Sequence, residues 1–363
     1  MNKATRTLAP IALAVAAMAA LALAQVNEEY IQAPEISAQQ WINSPPLALG
    51  KLRGKVLLID FWQYTCIGCI RTFPYLKLWN RLYGPLGLVV IGVHTPEFNF
   101  DQDPQLVAEA VKRFGIEFPV AVDSDRRIWR AFHNEGLPCG YLVDKDGRVE
   151  YSRCGEGDNA AFERLIQQLL KQARPALDFS AARFIPRADQ SSNVKCKEPT
   201  PETYLGFVRA DRLANPEGYE QLASSSYRAV DKLPLDQFDL SGQWSAMPES
   251  LNHADASAGG YDSLRLRYRA KSVYLVAGSD DGRPVPVVVT QDGTPIGPES
   301  RGADIQLLAD GQSNLPIAGK RIYYLVENRS FGEHVLDLRV SQRGGSFYSF
   351  SFGGSCEPAF DHR

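Results

Sequence analysis

The sequence has no excess of charge of either sign and few histidines. Its 363 residues include 39 Lys and Arg against 42 Asp and Glu, and the formal net charge is −3 at pH 7. A nucleic-acid-binding protein usually shows a basic patch or stripe, and a charged tail shows a run of like charge. Neither pattern occurs, so we expect no nucleic-acid partner. The five histidines are scattered, which does not favour a histidine-rich metal site.

Long apolar runs are scarce, and the one strong run lies at the N-terminus. Two basic residues precede an Ala-rich run over residues 8–23, which ends in Ala-Leu-Ala before Gln25. This pattern predicts a secretory signal peptide over residues 1–24. An uncleaved membrane anchor is the alternative, although the run is just short of the usual spanning length and contains Pro10. Either interpretation places the body of the protein outside the cytoplasm, in the periplasm.

Cysteine is sparse, but two of the six cysteines stand close together in the segment Cys66-Ile67-Gly68-Cys69. A continuous apolar run over residues 56–59 precedes them and is typical of a buried parallel strand. After Cys69, apolar residues recur at roughly the spacing of a helix face. The pair therefore lies where a strand ends and a helix begins. A helix N-terminus stabilises a thiolate, the reactive form of cysteine, so the pattern indicates a working dithiol.

Two other interpretations of this pair stay open. A zinc half-site would require a second cysteine pair with matching spacing, which the remaining cysteines do not supply. An inert staple between strand and helix is the other. We favour redox chemistry, for which the dithiol itself is the active group and no further cofactor or metal is expected.

Predicted strands and helices alternate over the first half of the chain. A second apolar strand is predicted at residues 88–93, a hairpin turn at 145–147 and an amphipathic helix at 162–170. Parallel strands joined by helices indicate an α/β domain over residues 25–173. Residues 174–197 contain Pro, Ala and Ser without a sustained period, and we interpret them as a linker.

Residues 198–356 show a different pattern, with several short strands separated by turns. Residues 264–268 alternate apolar with charged side chains, as a half-buried strand should, and residues 273–276 form a further predicted strand. Because no comparably strong helical stretch interrupts these strands, we predict an all-β jelly-roll sandwich. Cys196 and Cys356 bracket this domain, and one disulfide between them would tie its ends together.

A family resemblance rests on several of these pieces. The strand, the Asp60-Phe61-Trp62 segment, the Cys-x-x-Cys pair and a proline before a hairpin follow the thioredoxin order. Five further pieces resemble the DipZ-type, TlpA-like extracytoplasmic branch of that family, namely residues 63–66, 71–76, 93–98, 115–120 and 155–157. The resemblance covers about residues 51–170 and implies a thioredoxin-like fold with thiol–disulfide oxidoreductase activity on protein disulfides.

The resemblance also implies a role for individual residues. Cys66 matches the attacking cysteine and Cys69 the resolving cysteine. Asp60 matches the buried acid that exchanges a proton near the second cysteine. A carboxylate at the end of an apolar strand should have a raised pKa, which agrees with this role. Pro138 matches the cis-proline that faces the dithiol and presents backbone to an extended substrate.

The predicted substrate surface comprises Trp62, Thr65 and Leu137. Thr65 departs from the family pattern, since a tryptophan usually precedes the first cysteine. His94 and Glu97 follow the second strand and either line the site or form a satisfied surface pair. Glu156, between two glycines, is interpreted as a turn residue, and the resemblance leaves a role in the site open.

Cys139 directly follows Pro138, which is an unusual position for a cysteine so close to a reactive dithiol. Cys139 and Cys154 stand at nearly matched distances from the hairpin turn, so we expect them to lie close together across it. Three interpretations stay open: a structural cross-strand disulfide, an accessory redox pair that exchanges with Cys66, or two unpaired thiols.

In the β domain, residues 200–206, 323–326 and 348–353 resemble the C-terminal, carbohydrate-binding-module-like part of DipZ-type proteins. Trp244, Tyr261 or Tyr204 would be candidates to stack on a glycan, but core packing is the favoured role for each, and the sequence defines no glycan site. The membrane electron-transfer part of that family is not in this sequence, so we expect a separate electron donor or acceptor. The alternative function is an envelope binding protein whose sandwich binds a glycan or protein beside a redox-inert thioredoxin-like scaffold. The Ile67-Gly68 dipeptide does not indicate the direction of electron transfer.

Overall fold

A computed structural model describes residues 31–179, 196–254 and 260–356. These residues form a thioredoxin-like α/β domain followed by an all-β domain, which confirms the predicted fold class. The predicted signal peptide and most of the predicted linker lie outside the described residues. Within the described ranges, no helix is both long and apolar enough to cross a membrane.

The α/β domain is a six-stranded sheet flanked by helices. Its elements are β1 (Gln40–Ile42), β2 (Val56–Trp62), α1 (Ile67–Tyr83), β3 (Leu88–His94), α2 (Pro104–Arg113), β4 (Val120–Val122), α3 (Arg127–Ala131), β5 (Cys139–Val143), β6 (Val149–Cys154) and α4 (Asn159–Ala173), with 3-10 turns at Leu49–Leu52, Gly84–Leu86 and Asn99–Gln102. The strand order is β1-β4-β3-β2-β5-β6. Strand β2 is parallel to β3 and antiparallel to β5. Because its side chains alternate between the apolar clusters on the two faces of the sheet, all seven residues of β2 are buried.

The all-β domain is one continuously hydrogen-bonded set of strands. They are β7 (Thr203–Tyr204), β8 (Ser224–Tyr227), β9 (Gln237–Ala246), β10 (Leu251–His253), β11 (Asp262–Ser279), β12 (Val285–Gln291), β13 (Thr294–Pro295), β14 (Gln306–Leu307), β15 (Ser313–Ile317), β16 (Arg321–Val340) and β17 (Gly345–Gly353). The order along the sheet is β14-β15-β12-β16-β11-β17-β10-β9-β8. The strands predicted at 264–268 and 273–276 are two halves of β11. A register shift between Ala270 and Ser272 separates these halves, and the first pairs with β9 and the second with β17.

The two domains share one apolar cluster. Four residues of the β domain are buried in the same cluster as the side chains beneath α1, namely Tyr274, Val276, Ile322 and Tyr348. The Tyr348 ring lies 5.3 Å from the Phe98 ring and 4.8 Å from the Phe100 ring, measured between centroids, and both pairs meet edge to face. Removing the β domain would expose this apolar surface, so packing holds the two domains together.

This packing predicts the effect of truncating Tyr348, which is 8% exposed. Tyr348→Ala should lower the free energy of unfolding by about 3 kcal/mol, because large-to-small changes in a packed core lose transfer free energy and leave a cavity. Urea unfolding followed by tryptophan fluorescence measures the loss. The matched control is Tyr261→Ala at a 55% exposed position, which should change the free energy by no more than about 0.5 kcal/mol. Equal effects of the two substitutions would contradict this account.

Candidate active site

The Cys66–Cys69 pair caps the start of α1. Cys66 is the N-cap residue, and its Sγ accepts a hydrogen bond of 3.1 Å from the backbone N–H of Cys69. Cys66 is partly exposed, whereas Cys69 is fully buried, and the two are joined in a disulfide. A thiolate at Cys66 would therefore gain from this N–H and from the positive end of the helix dipole. The geometry gives one accessible sulfur with a second enclosed behind it.

Pro138 and Glu156 pack directly against the dithiol turn. The Leu137–Pro138 peptide bond is cis. A Cβ added to Gly68 would lie 2.9 Å from Glu156 Oε1 and 3.3 Å from Pro138 Cδ. Glycine at position 68 therefore permits this close approach. Glu156 also accepts from Arg71 Nη1 at 3.3 Å, which fixes the carboxylate beside the cysteines.

Asp60 lies inside the protein behind this turn. Its side chain is buried, and its Oδ2 has no hydrogen-bond partner within the described part of the chain. Burial raises the pKa of Asp60 from 3.8 to about 8, and the nearby positive charge of Arg153 partly opposes this shift. Asp60, Arg153 and Pro138 line the same small internal cavity. The carboxyl group is therefore protonated at neutral pH and available as a proton donor.

A second buried carboxyl group, Asp101, holds the loop that precedes Cys66. Gln63 Nε2 donates to Asp101 Oδ2 at 2.5 Å and also to Thr65 Oγ1. The same carboxylate oxygen accepts from the backbone N–H of Phe98 at 3.0 Å and of Glu97 at 3.3 Å. Burial raises the pKa of Asp101 to about 7, although these donors lower it. Sequence reasoning missed Asp101, and its only signal was a position after β3 at the carboxyl edge of the sheet.

A cleft of about 760 Å³ leads to Cys66 and lies between the two domains. The α/β domain contributes Arg71, Glu97, Leu137, Pro138 and Glu156 to its lining, and the β domain contributes Pro199, Pro201, Glu202, Tyr204, Arg209 and Phe352. The wall from the β domain was not predicted from the sequence, because residues far apart in the chain form it.

The structure brings only part of the predicted substrate surface into this cleft. Leu137 lines it, but Trp62 is 0% and Thr65 2% exposed, so neither side chain reaches the surface. Thr65 Oγ1 accepts a hydrogen bond from Gln63 Nε2, and the centroid of the Trp62 ring lies 5.1 Å from that of Phe73. The interpretation of these two residues as substrate contacts is therefore corrected. Their side chains are buried in the protein next to the site and support it by packing and hydrogen bonding.

His94 and Glu97, considered together in the sequence, have different environments. His94 is fully buried, and burial lowers its pKa to about 3. It is therefore neutral at neutral pH and does not form a surface pair. Glu97 lines the cleft and accepts hydrogen bonds of 2.7 Å from Tyr204 Oη and from Arg209 Nη1.

Comparisons with known proteins agree with this arrangement. The family model Redoxin matches residues 32–168, and the model described as "Thioredoxin like C-terminal domain" matches residues 200–353. Protein DipZ of Mycobacterium tuberculosis is 32% identical over 318 residues, which are 86% of this chain and 41% of that protein. Together these matches support a DipZ-type protein of the thioredoxin family. The chain spans 41% of the length of the DipZ relatives that it matches.

Two shorter relatives match the α/β domain of this DipZ-type chain. The thiol-disulfide oxidoreductase YkuV of Bacillus subtilis is 29% identical over 38% of this chain and 94% of its own length. The thiol-disulfide oxidoreductase ResA of Geobacillus kaustophilus is 29% identical over 33% of this chain and 67% of its own length. The α/β domain that contains Cys66 and Cys69 is therefore similar to proteins named thiol-disulfide oxidoreductases.

The second predicted cysteine pair lies on the other face of the same sheet. Cys139 and Cys154 are directly opposite in the β5–β6 register and are bonded to each other. Cys139 is buried in the apolar cluster of Phe61 and Tyr141, whereas Cys69 belongs to the cluster beneath α1. The sheet therefore stands between Cys139 and the buried resolving position. Cys196 and Cys356 are also bonded.

The candidate glycan-stacking residues have three different environments. Trp244 is fully buried in the core of the β domain, Tyr204 lies at the domain junction, and Tyr261 is 55% exposed. The described residues contain no cluster of three or more His, Cys, Asp or Glu side chains that could hold a metal ion.

The raised pKa of Asp60 predicts a specific pH dependence of stability. Because the folded state holds this proton up to about pH 8 and the unfolded state only to 3.8, the wild-type protein should lose stability as pH rises between these values. The limiting slope for one proton is about 1.4 kcal/mol per pH unit, and the loss should level off above the folded pKa. Asp60→Asn should remove this decline.

Urea unfolding of the oxidised proteins at several pH values from 5 to 9 measures the difference between wild type and Asp60→Asn. The two stability curves should converge towards low pH and separate as pH rises. Parallel curves across this range would mean that Asp60 does not carry the proton.

Proposed function

We propose that this chain is an extracytoplasmic thiol–disulfide oxidoreductase that acts on protein disulfides through Cys66 and Cys69. One observation carries the proposal: Cys66 is the partly exposed cap of a helix and lines a cleft, with Cys69 enclosed one turn further in. An accessible, stabilised thiolate with an internal second thiol can attack a foreign disulfide and then release it.

The reductive reaction proceeds in two exchanges. In the first, the Cys66 thiolate attacks one sulfur of the substrate disulfide, so that the substrate S–S bond breaks, a Cys66–substrate disulfide forms and the other substrate sulfur leaves as a thiolate. In the second, the Cys69 thiolate attacks Cys66 Sγ, closes the Cys66–Cys69 disulfide and releases the remaining substrate sulfur. Two electrons pass from the enzyme dithiol to the substrate, and the reverse sequence oxidises a substrate dithiol.

Asp60 and Pro138 have supporting roles in this proposal. In the oxidised protein the Asp60 carboxyl group is protonated, and it gives its proton to Cys69 when reduction frees that sulfur as a thiolate. The resulting carboxylate takes the proton back as Cys69 becomes the attacking thiolate. Pro138, packed against Gly68, forms the platform against which the substrate lies. Leu137 lines the cleft beside it.

The cysteine inventory supports an extracytoplasmic location. All six cysteines are paired in three disulfides, a pattern typical of oxidising compartments such as the periplasm. We propose that Cys139–Cys154 and Cys196–Cys356 are structural. A separate dithiol or disulfide protein would supply or accept the two electrons of each cycle.

Substitution of the two active-site cysteines should have different results. Cys66→Ser should reduce turnover of insulin disulfides to background, because the attacking thiolate is lost. Cys69→Ser should accumulate a covalent mixed disulfide with the substrate, since the releasing thiol is missing. An insulin-reduction assay measures the first result, and non-reducing gels with mass spectrometry measure the second.

The double variant Cys139→Ser/Cys154→Ser serves as the matched control, since it removes a disulfide outside the proposed chemistry. It should retain insulin reduction when assayed below its own melting temperature. Unchanged activity in Cys66→Ser would instead favour the alternative of a redox-inert scaffold beside a binding domain.

A further inference from the structure

We propose that the cleft admits a disulfide only when it is carried on a single extended polypeptide segment, and that the β domain excludes disulfides on folded surfaces. This inference rests on the proposed function, and it assigns the β domain a role in substrate selection. Its basis is that the second domain forms a fixed wall of the cleft that contains Cys66. The wall comprises residues 199–202 together with Tyr204, Arg209 and Phe352.

The wall is built from a stiff, anchored segment of chain. Pro199 and Pro201 flank Thr200 at the cleft, and proline restricts the backbone by fixing φ. The Thr200 N–H donates to the Arg269 carbonyl at 2.8 Å, and the Arg269 N–H donates to Thr200 Oγ1 at 2.7 Å. Glu202, the next residue of the wall, accepts from Ser351 Oγ at 3.2 Å. The segment is therefore held to the sheet of the β domain at several points.

Polar contacts fasten this wall to the dithiol domain. The Glu97 carboxylate accepts from both Tyr204 Oη and Arg209 Nη1 at 2.7 Å. The Arg209 guanidinium lies 3.7 Å from the centroid of the Tyr204 ring. On another side, Arg71 donates to Tyr274 Oη at 3.3 Å. We call Glu97, Tyr204 and Arg209 the latch.

The shared apolar cluster prevents the wall from swinging away as a rigid body. Tyr348 packs against Phe98 and Phe100, which lie in the same short segment as Glu97. Widening the cleft would have to break the latch and expose these rings together. The width of the opening is therefore fixed by buried contacts as well as by the partly exposed Glu97–Arg209 ion pair.

The dimensions of the cleft favour a chain segment over a folded surface. Its volume of about 760 Å³ falls in the range of small-ligand sites, about 300–1,000 Å³. Docking of a folded partner instead buries about 800 Å² of a broad surface on each side. An extended segment is only as wide as one strand and can carry its sulfur to Cys66. A folded domain would instead contact the wall before its surface disulfide reached Cys66.

A pair of matched substrates tests this inference. A small folded domain with one cysteine, bonded to glutathione, is prepared in two forms. In one form the mixed disulfide lies on the folded surface, and in the other it lies in an unstructured tail of about ten residues. The rate at which dithiothreitol reduces each form measures its intrinsic reactivity, and each enzymatic rate is divided by that value. The reduced full chain should act on the tail form with a kcat/KM at least about ten-fold higher, a difference well above assay error.

Weakening the contacts that hold the wall should reduce the preference of the enzyme for the tail form over the surface form. Arg209→Ala removes the ion pair of the latch and the cation that lies over the Tyr204 ring, so its tail-to-surface ratio should fall several-fold towards that of dithiothreitol. The control is Arg283→Ala, whose side chain is 87% exposed on a turn outside the cleft, and which should keep the wild-type ratio. Because the readout is a ratio of two substrates, a loss of folded protein changes both rates equally and cancels.

The outcomes separate this inference from the proposed function. Equal normalised rates for the two substrates in the wild-type chain would overturn the inference while leaving the oxidoreductase activity intact. An unchanged ratio in Arg209→Ala would overturn the role of the latch. Failure to reduce either substrate would count against the proposed function itself.

Discussion

Burial of strand β2 on both faces is the constraint on which the rest of the structure depends. Alternate side chains of this strand enter two different apolar clusters, so its register and direction are fixed by packing on both sides. The same burial places Asp60 inside the protein and positions Cys66 at the carboxyl edge of the sheet. The Cys66 sulfur thus has a defined position after the end of β2. Asp60, the group proposed to exchange a proton with Cys69, is buried within the same strand.

The segment between β3 and α2 connects this site to the second domain. Asp101 in that segment holds Gln63 in the loop before Cys66, while Glu97, Phe98 and Phe100 contact the β domain. One short stretch of chain therefore supports the dithiol loop and carries the interface. A change in the contact between the domains would reach the cysteines through this stretch and through the contact of Arg71 in α1 with Tyr274.

The sequence was sufficient for features encoded by local patterns. The apolar run before Cys66 and the helical period after Cys69 located the dithiol, and alternating or apolar runs indicated the fold class. The wall was not predictable, since Glu97 meets Tyr204 and Arg209 across 107 and 112 residues. The burial of Thr65 depends in the same way on Asp101, which lies in a different loop. Strand β11 was predicted as two strands because the polar stretch at its bulge resembles a turn.

The Cys196–Cys356 bond affects how the protein responds to cleavage by proteases. It joins residues that are 160 positions apart and so encloses every strand of the β domain in one covalent ring. A single backbone cut in any surface loop of that ring would open it without releasing a fragment. The wall segment begins just after Cys196, so a nicked protein would keep its wall in place. The disulfide thereby keeps the wall segment covalently joined to the rest of the β domain after such a cut.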